Sequence, residues 1–244
     1  LLAPVFIQDT LTTRTQVVGL KQNTIKPGRA ASGMVALEIK VKNQKGETVL
    51  HFWRCPMIPC RDPDAETGHN DDFGVMPAEI TDEQLLAHVP EWHFAAYRAR
   101  YPSASEPLAA GQTLLVEAAD TVTSAPELVR LTLNLAMTHT DATRSVYGKR
   151  LVYGGHTIAI ASKQLAMGLP HILQILAWYR CDHVGPVFEG DVLSSQITIK
   201  ETQKVQDATV AKLAVEVFAK RGPEAPSDLP DAKVLDWSLA VLLP

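Results

Sequence analysis

Three segments recur in the same order along this chain, and that repeat limits the fold more than any other feature. Asp9-Thr10-Leu11-Thr12-Thr13-Arg14-Thr15 is matched by Asp191-Val192-Leu193-Ser194-Ser195-Gln196-Ile197. Val35-Ala36-Leu37-Glu38-Ile39-Lys40-Val41 is matched by Leu213-Ala214-Val215-Glu216-Val217-Phe218-Ala219. Val49-Leu50-His51-Phe52-Trp53 is matched by Val234-Leu235-Asp236-Trp237-Ser238, each after a polar turn. Within each segment apolar and polar residues alternate, the pattern of a strand with one buried face. Each copy therefore reads as three antiparallel β-strands.

In the second copy a helical stretch, residues 157 to 167, precedes the strands. Ile158, Ala161, Leu165 and Ala166 fall at helical spacing, and Gly168 with Pro170 ends it. A long central helix wrapped by a curved antiparallel sheet is the hotdog arrangement. The expected class is α+β, a double hotdog of two such units. The first copy has no such helix before its strands, so the first unit is expected to lack its N-terminal portion. The expected division is residues 1–60 as strands of an incomplete N-terminal hotdog unit, 61–110 as a linker rich in Pro, Asp and Gly, and 111–244 as the C-terminal unit.

Composition narrows the function classes. Hydrophobic residues make up 46% and charged residues 20%, as in an ordinary globular protein. The formal charge of −4 offers no basic footprint for nucleic acid or anionic lipid, so neither is an expected partner, and an anionic ligand must be held by local groups. Cys55, Cys60 and Cys181 are odd in number and form no C-x-x-C pair, which argues against a disulfide framework or zinc knuckle and points to a reducing cytoplasm. No metal and no redox cofactor is implied. No apolar run has the length of a membrane span, and the opening Leu1 to Ile7 lacks the basic start of a signal peptide.

The residues that carry chemistry lie in the second copy. Ser124 reads as a helix N-cap, with Pro126 in the first turn and Glu127 at capping-box spacing. The helix is expected to carry Leu128, Leu131, Leu135 and Met137 towards Asn134 and His139. Further on, Tyr153-Gly154-Gly155-His156 opens the central helix. Two glycines there let a ligand oxygen approach N–H groups that lack intrahelical partners, at the positive end of the helix dipole. Such a helix start can serve as an oxyanion hole.

Asn134-Leu135-Ala136-Met137-Thr138-His139-Thr140-Asp141 resembles the Asp-x-Asn-Pro-x-His motif of MaoC-like R-specific hydratases. In that family the Asp and the His hold the water that adds across an enoyl double bond. The histidine and its spacing are kept here; Asn134 stands in place of the acid, and Ala136-Met137 in place of Asn-Pro. This variant is similar to the branch that includes mesaconyl-CoA hydratase and the 3-hydroxyacyl-thioester dehydratases. Arg150 to Thr157 and Asp182 to Asp191 resemble the segments that open the helix and the next strand in that branch.

The resemblance implies an (R)-specific enoyl-CoA hydratase or 3-hydroxyacyl-thioester dehydratase. Asn134 and His139 would be catalytic, and Tyr153, Gly154, Gly155 and His156 would bind substrate. The partner would be acyl-CoA or an acyl-carrier thioester, with a homodimer left open. An imidazole titrates near neutral pH and suits one of the two proton transfers. An amide cannot take a proton, so Asn134 would orient the water while His139 activates it. Two other classes stay open. A non-catalytic acyl-CoA-binding hotdog would keep the pocket and lose the acid. A hotdog thioesterase would use the same carbonyl site with water directed at C1.

Overall fold

The computed structural model describes residues 1–77 and 79–244. The chain divides into two compact units, Leu1–His88 and Val89–Pro244. The division falls inside the expected linker, which carries two short helices, α1 (Asp82–Leu86) and α2 (Ala95–Arg100). Thr81 starts α1 with a complete capping box to Gln84.

In the first unit β1 (Thr12–Gln22), β2 (Ser32–Lys42) and β3 (Thr48–Arg54) pair antiparallel in that order, and β4 (Met57–Pro59) adds to β2. Ile39, Val41 and Val49 form its small core. In the second unit β5 (Thr113–Leu115), β8 (Val192–Val205), β9 (Ala208–Lys220), β10 (Ala232–Leu243) and β7 (Gln174–His183) follow one another across one sheet. The two-residue β6 (Asp120–Thr121) pairs with β8. Both units thus repeat the same three-strand meander, and the fold is a double hotdog.

The pairing corrects the repeat in detail. Gln16 lies opposite Glu38 and Glu38 opposite Trp53, whereas Gln196 lies opposite Glu216 and Glu216 opposite Asp236. If Glu38 matches Glu216, the flanking strands slip by two residues against the match read from sequence. A slip of two leaves every side chain on its own face, which is why the alternation could not reveal it.

Helix α4 (Gly154–Gly168) lies against β8 and β9. It begins three residues before the expected Thr157, because both glycines enter the first turn. Ala161 and Leu165 are fully buried in the main core with Leu193, Ile197, Leu213, Val215 and Trp237. At Gly168 an added Cβ would come within 2.7 Å of Ile197 Cδ1, so the helix end packs closely on the sheet there. Gln164, also fully buried, donates to Asp120 at 2.8 Å and to the Leu193 carbonyl at 2.9 Å, and accepts from Ser195 Oγ at 2.6 Å. Every polar end of that amide is satisfied, as burial demands.

The helix before His139 is shorter than expected. Helix α3 spans Ala125–Leu131 only, and Ser124 precedes it in the left-handed region (φ 58°) without a side-chain cap, so the capping box does not form. The helix ends because Leu133 turns left-handed (φ 53°): its N–H reaches the Arg130 carbonyl at 3.3 Å and the Asn134 N–H reaches Val129 at 3.1 Å. This is a Schellman closure with leucine where glycine is usual. Among the described residues no helix is long and apolar enough to cross a membrane.

Candidate active site

His139 is held by the segment that leads into α4. After the turn at Leu133 the chain makes one 3-10 turn, Met137–His139. The Leu151 N–H then donates to the Thr138 carbonyl at 3.0 Å, and His139 Nδ1 lies 2.9 Å from the Leu151 carbonyl. A carbonyl only accepts, so Nδ1 carries the proton and the neutral ring presents Nε2 as a bare lone pair. Val152 is buried and donates to the Val187 carbonyl at 2.9 Å, which ties this strip to the turn before β8.

That turn is locked by a buried ion pair. The Asp191 carboxylate, fully buried, accepts from Phe188 N at 3.0 Å, Gly222 N at 2.8 Å and Arg221 Nη1 at 2.9 Å. Arg221 also donates to the Pro186 carbonyl at 2.8 Å. The position of Leu151, and with it the imidazole, thus traces back to residues 186–191 and 221–222.

A cleft of about 370 Å³ opens beside His139. Ala125, Ala142, Leu151 and Val152 give it an apolar side; Lys149, Arg150, Asp141, Glu189 and Glu224 give it a charged one. Asp141 is engaged locally, accepting from the Thr143 hydroxyl and N–H, and these bonds hold its carboxyl below the usual range. Arg150 Nη2 lies 3.3 Å from Glu189, and Lys149 Nζ lies 3.9 Å from Glu224.

The start of α4 adjoins this histidine through Tyr153. The two rings are 5.8 Å apart, and the Tyr153 ring fills the space that a Cβ on Gly155 would take, at 2.5 Å. The His183 ring fills the corresponding space over Gly154, with Nε2 2.6 Å from that Cβ position. His156 sits in the same first turn, and its Nδ1 is buried without a partner among the described residues. Burial pushes the imidazoles of His156 and His183 below their ordinary pKa; Glu189 and Asp182, respectively, oppose the shift.

The structure therefore brings His139, Tyr153, Gly154, Gly155 and His156 together around one helix start, with His139 alone of these lining the cleft. Asn134 stands apart from the lining. Its Oδ1 accepts the Ala136 N–H at 2.9 Å, a turn contact two residues on. Arg150, Glu189 and Glu224 were not singled out from sequence as site residues. Arg150 and His183 stand inside the segments that carried the resemblance, whereas nothing in the Pro-rich turn around Glu224 pointed to the site.

No family model matches the chain. It is 32% identical over 232 residues to the mesaconyl-CoA hydratase of Cereibacter sphaeroides, covering 91% of this chain and 65% of that protein. It is 29% identical to the beta-methylmalyl-CoA dehydratase of Chloroflexus aurantiacus, covering 99% of this chain and 72% of that protein. The chain thus spans about two thirds of the length of these relatives. Among solved structures, a conserved hypothetical protein from Mycobacterium tuberculosis with a double hotdog fold superimposes with a TM-score of 0.78 at 41% identity, covering 96% of this chain and 69% of that one. A putative MaoC domain protein dehydratase from Chloroflexus aurantiacus gives 0.79 at 25% identity, covering 97% and 70%. Two sheets built on one meander, a histidine fixed beside the glycine start of the central helix, and these likenesses along nearly the whole chain lead to one conclusion: this chain belongs to the double-hotdog family and is similar to its MaoC-like hydratases and dehydratases.

Proposed function

We propose that the chain hydrates a 2-enoyl-CoA thioester, or in reverse dehydrates the 3-hydroxyacyl thioester, with His139 as the acid–base group. The observation that carries this reading is the bond from His139 Nδ1–H to the Leu151 carbonyl, which leaves Nε2 free as a base beside the α4 start. Nε2 takes a proton from water as its oxygen attacks C3. The double-bond electrons move towards the thioester oxygen, which the first-turn N–H groups around Gly154 and Gly155 stabilise. The proton on Nε2 then passes to C2, so one water is consumed and the base is restored. Tyr153 and His156 would flank the thioester. Asn134 would steer the water through its amide N–H groups, since its oxygen already serves the turn. No cofactor beyond the thioester enters this scheme.

The two curated relatives are named for acyl-CoA substrates, and both of those acyl groups carry a second carboxylate. This supports CoA as the carrier. The (R) hand at C3 follows the family resemblance. The commitment of Asn134 Oδ1 to the backbone also favours a second reading, a hotdog that binds acyl thioesters without turning them over. The test is to incubate the chain with crotonyl-CoA and fumaryl-CoA and follow the conjugated enoyl absorbance and free thiol together. Loss of absorbance without thiol supports the hydratase. Thiol release would point to a thioesterase, and tight binding with neither signal to the binding protein.

A further inference from the structure

We infer that Arg221, in the connection from β9 to β10, is a positioning residue for His139: through Pro186 and Val187 it fixes the one peptide that aims the imidazole. As a statement about catalysis this rests on the hydratase reading of the same site. The link is short. Val152 N–H and Leu151 C=O are the two ends of one planar peptide and point in opposite directions. The N–H end donates to the Val187 carbonyl at 2.9 Å, and the C=O end accepts from His139 Nδ1 at 2.9 Å. A tilt imposed at one end of a rigid plane reappears at the other, so whatever holds Val187 also sets the direction of Nε2.

Val187 follows Pro186, whose carbonyl accepts from Arg221 Nη1 at 2.8 Å. The same nitrogen reaches Asp191 at 2.9 Å, and Nε donates to the Pro230 carbonyl at 2.9 Å. One planar fork thus ties together residues 186, 191 and 230, a spread that the point charge of a lysine does not reproduce. The two turns also meet main chain to main chain: a Cβ on Gly222 would stand 2.1 Å from the Gly190 carbonyl oxygen. Stability alone does not account for this arrangement. A buried ion pair is often no more stabilising than apolar residues of the same volume, and its better-attested use is to fix one arrangement over others. Here the arrangement that it fixes ends at the imidazole. A misplacement of about 1 Å at a reacting group can cost about 100-fold in rate, even when its cause lies far from the chemistry.

The experiment uses the double variant Arg221→Met with Asp191→Asn, which removes the guanidinium without leaving a buried charge unpaired, so the turn is loosened at less cost in folding. On crotonyl-CoA and fumaryl-CoA its kcat should fall about 10- to 100-fold with KM within about threefold of the wild type. The second readout is the tautomer of His139, from NMR of protein labelled with 15N in the imidazole rings. The Nε2–H form should rise by about fivefold over the wild type, the worth of one hydrogen bond to the Leu151 carbonyl. Asp207→Ala is the control: it removes the Arg98 ion pair and the Phe94 N–H bond in the same unit, and it should leave kcat and the tautomer ratio unchanged. An unchanged tautomer ratio in the double variant overturns the inference whatever its kcat, and so does wild-type kcat beside a shifted ratio. Equal changes in Asp207→Ala overturn it too, because any loss of stability would then suffice. If the double variant does not fold, Arg221→Lys, which keeps the charge and loses the fork, is read in the same way. If the wild type hydrates neither thioester, the hydratase reading fails by itself, and the tautomer ratio alone decides whether Arg221 holds the imidazole.

Discussion

Removing Arg221 should destabilise the second unit more than removing any surface charge. The Asp191 carboxylate is fully buried and Arg221 is 9% exposed in its side chain, so their 2.9 Å contact is shielded from water. In Arg221→Met the carboxylate keeps two backbone donors, Phe188 N and Gly222 N, and loses its countercharge. Breaking a buried pair from one side costs about 3–5 kcal/mol. A surface pair such as Arg130–Glu127, 3.6 Å apart and more than half exposed, is worth under about 1 kcal/mol. With a urea slope of about 2 kcal/mol/M, Arg221→Met should lower the midpoint by roughly 1.5–2.5 M. Arg221→Lys, which keeps the charge but not the fork, should fall between. Urea unfolding followed by tryptophan fluorescence reads this directly, since Trp237 is buried in that core. A shift below about 0.5 M would show that the pair does not hold the turn.

Three further outcomes follow from the local geometry. Leu133→Gly should raise stability by about 0.5–1 kcal/mol, because glycine adopts the left-handed closure of α3 without the cost that leucine bears; an unchanged or lower urea midpoint would deny that Leu133 is strained. Gly154→Ala should lower both stability and turnover by driving a methyl into the His183 ring, and His183→Ala should restore stability in the double variant; additive losses would rule out that contact. Burial holds His156 and His183 below their ordinary pKa of 6.5, so the folded state binds fewer protons than the unfolded chain near that value. Their contribution is present above 6.5 and lost as pH falls through the folded pKa. The urea midpoint should drop from about pH 7.5 to about pH 5, and less so in His156→Gln.

Much of this fold was legible because strand alternation survives errors in register. The repeat located the three meander strands of each unit, though not β4, β5, β6 or β7, even though its matches sit two residues off the pairing of Gln16, Glu38 and Trp53 with their counterparts. Helix α4 announced itself through apolar spacing and its Gly168 stop. The end of α3 did not, since leucine at positive φ contradicts the propensity from which a sequence reading works, and the helical pattern continued on paper through Leu135 and Met137. In the site, His139 and the Gly154-Gly155 helix start were visible from motif and physics together. Arg150 as a cleft residue was not, because the cleft forms where residues 139–142, 149–152, 189 and 224 meet, and no local pattern records that meeting. The tautomer of His139 was equally hidden, being set by a carbonyl twelve residues away.

The central claim is that His139 Nε2 moves the proton of the adding water. Measured on fumaryl-CoA and crotonyl-CoA, His139→Ala should lower kcat by roughly 10²- to 10⁴-fold, the contribution of a positioned acid–base group. Thioester affinity by calorimetry should stay within about threefold, because the carbonyl contact comes from backbone N–H groups at the α4 start. A variant that hydrates either thioester at close to the wild-type rate would contradict the account.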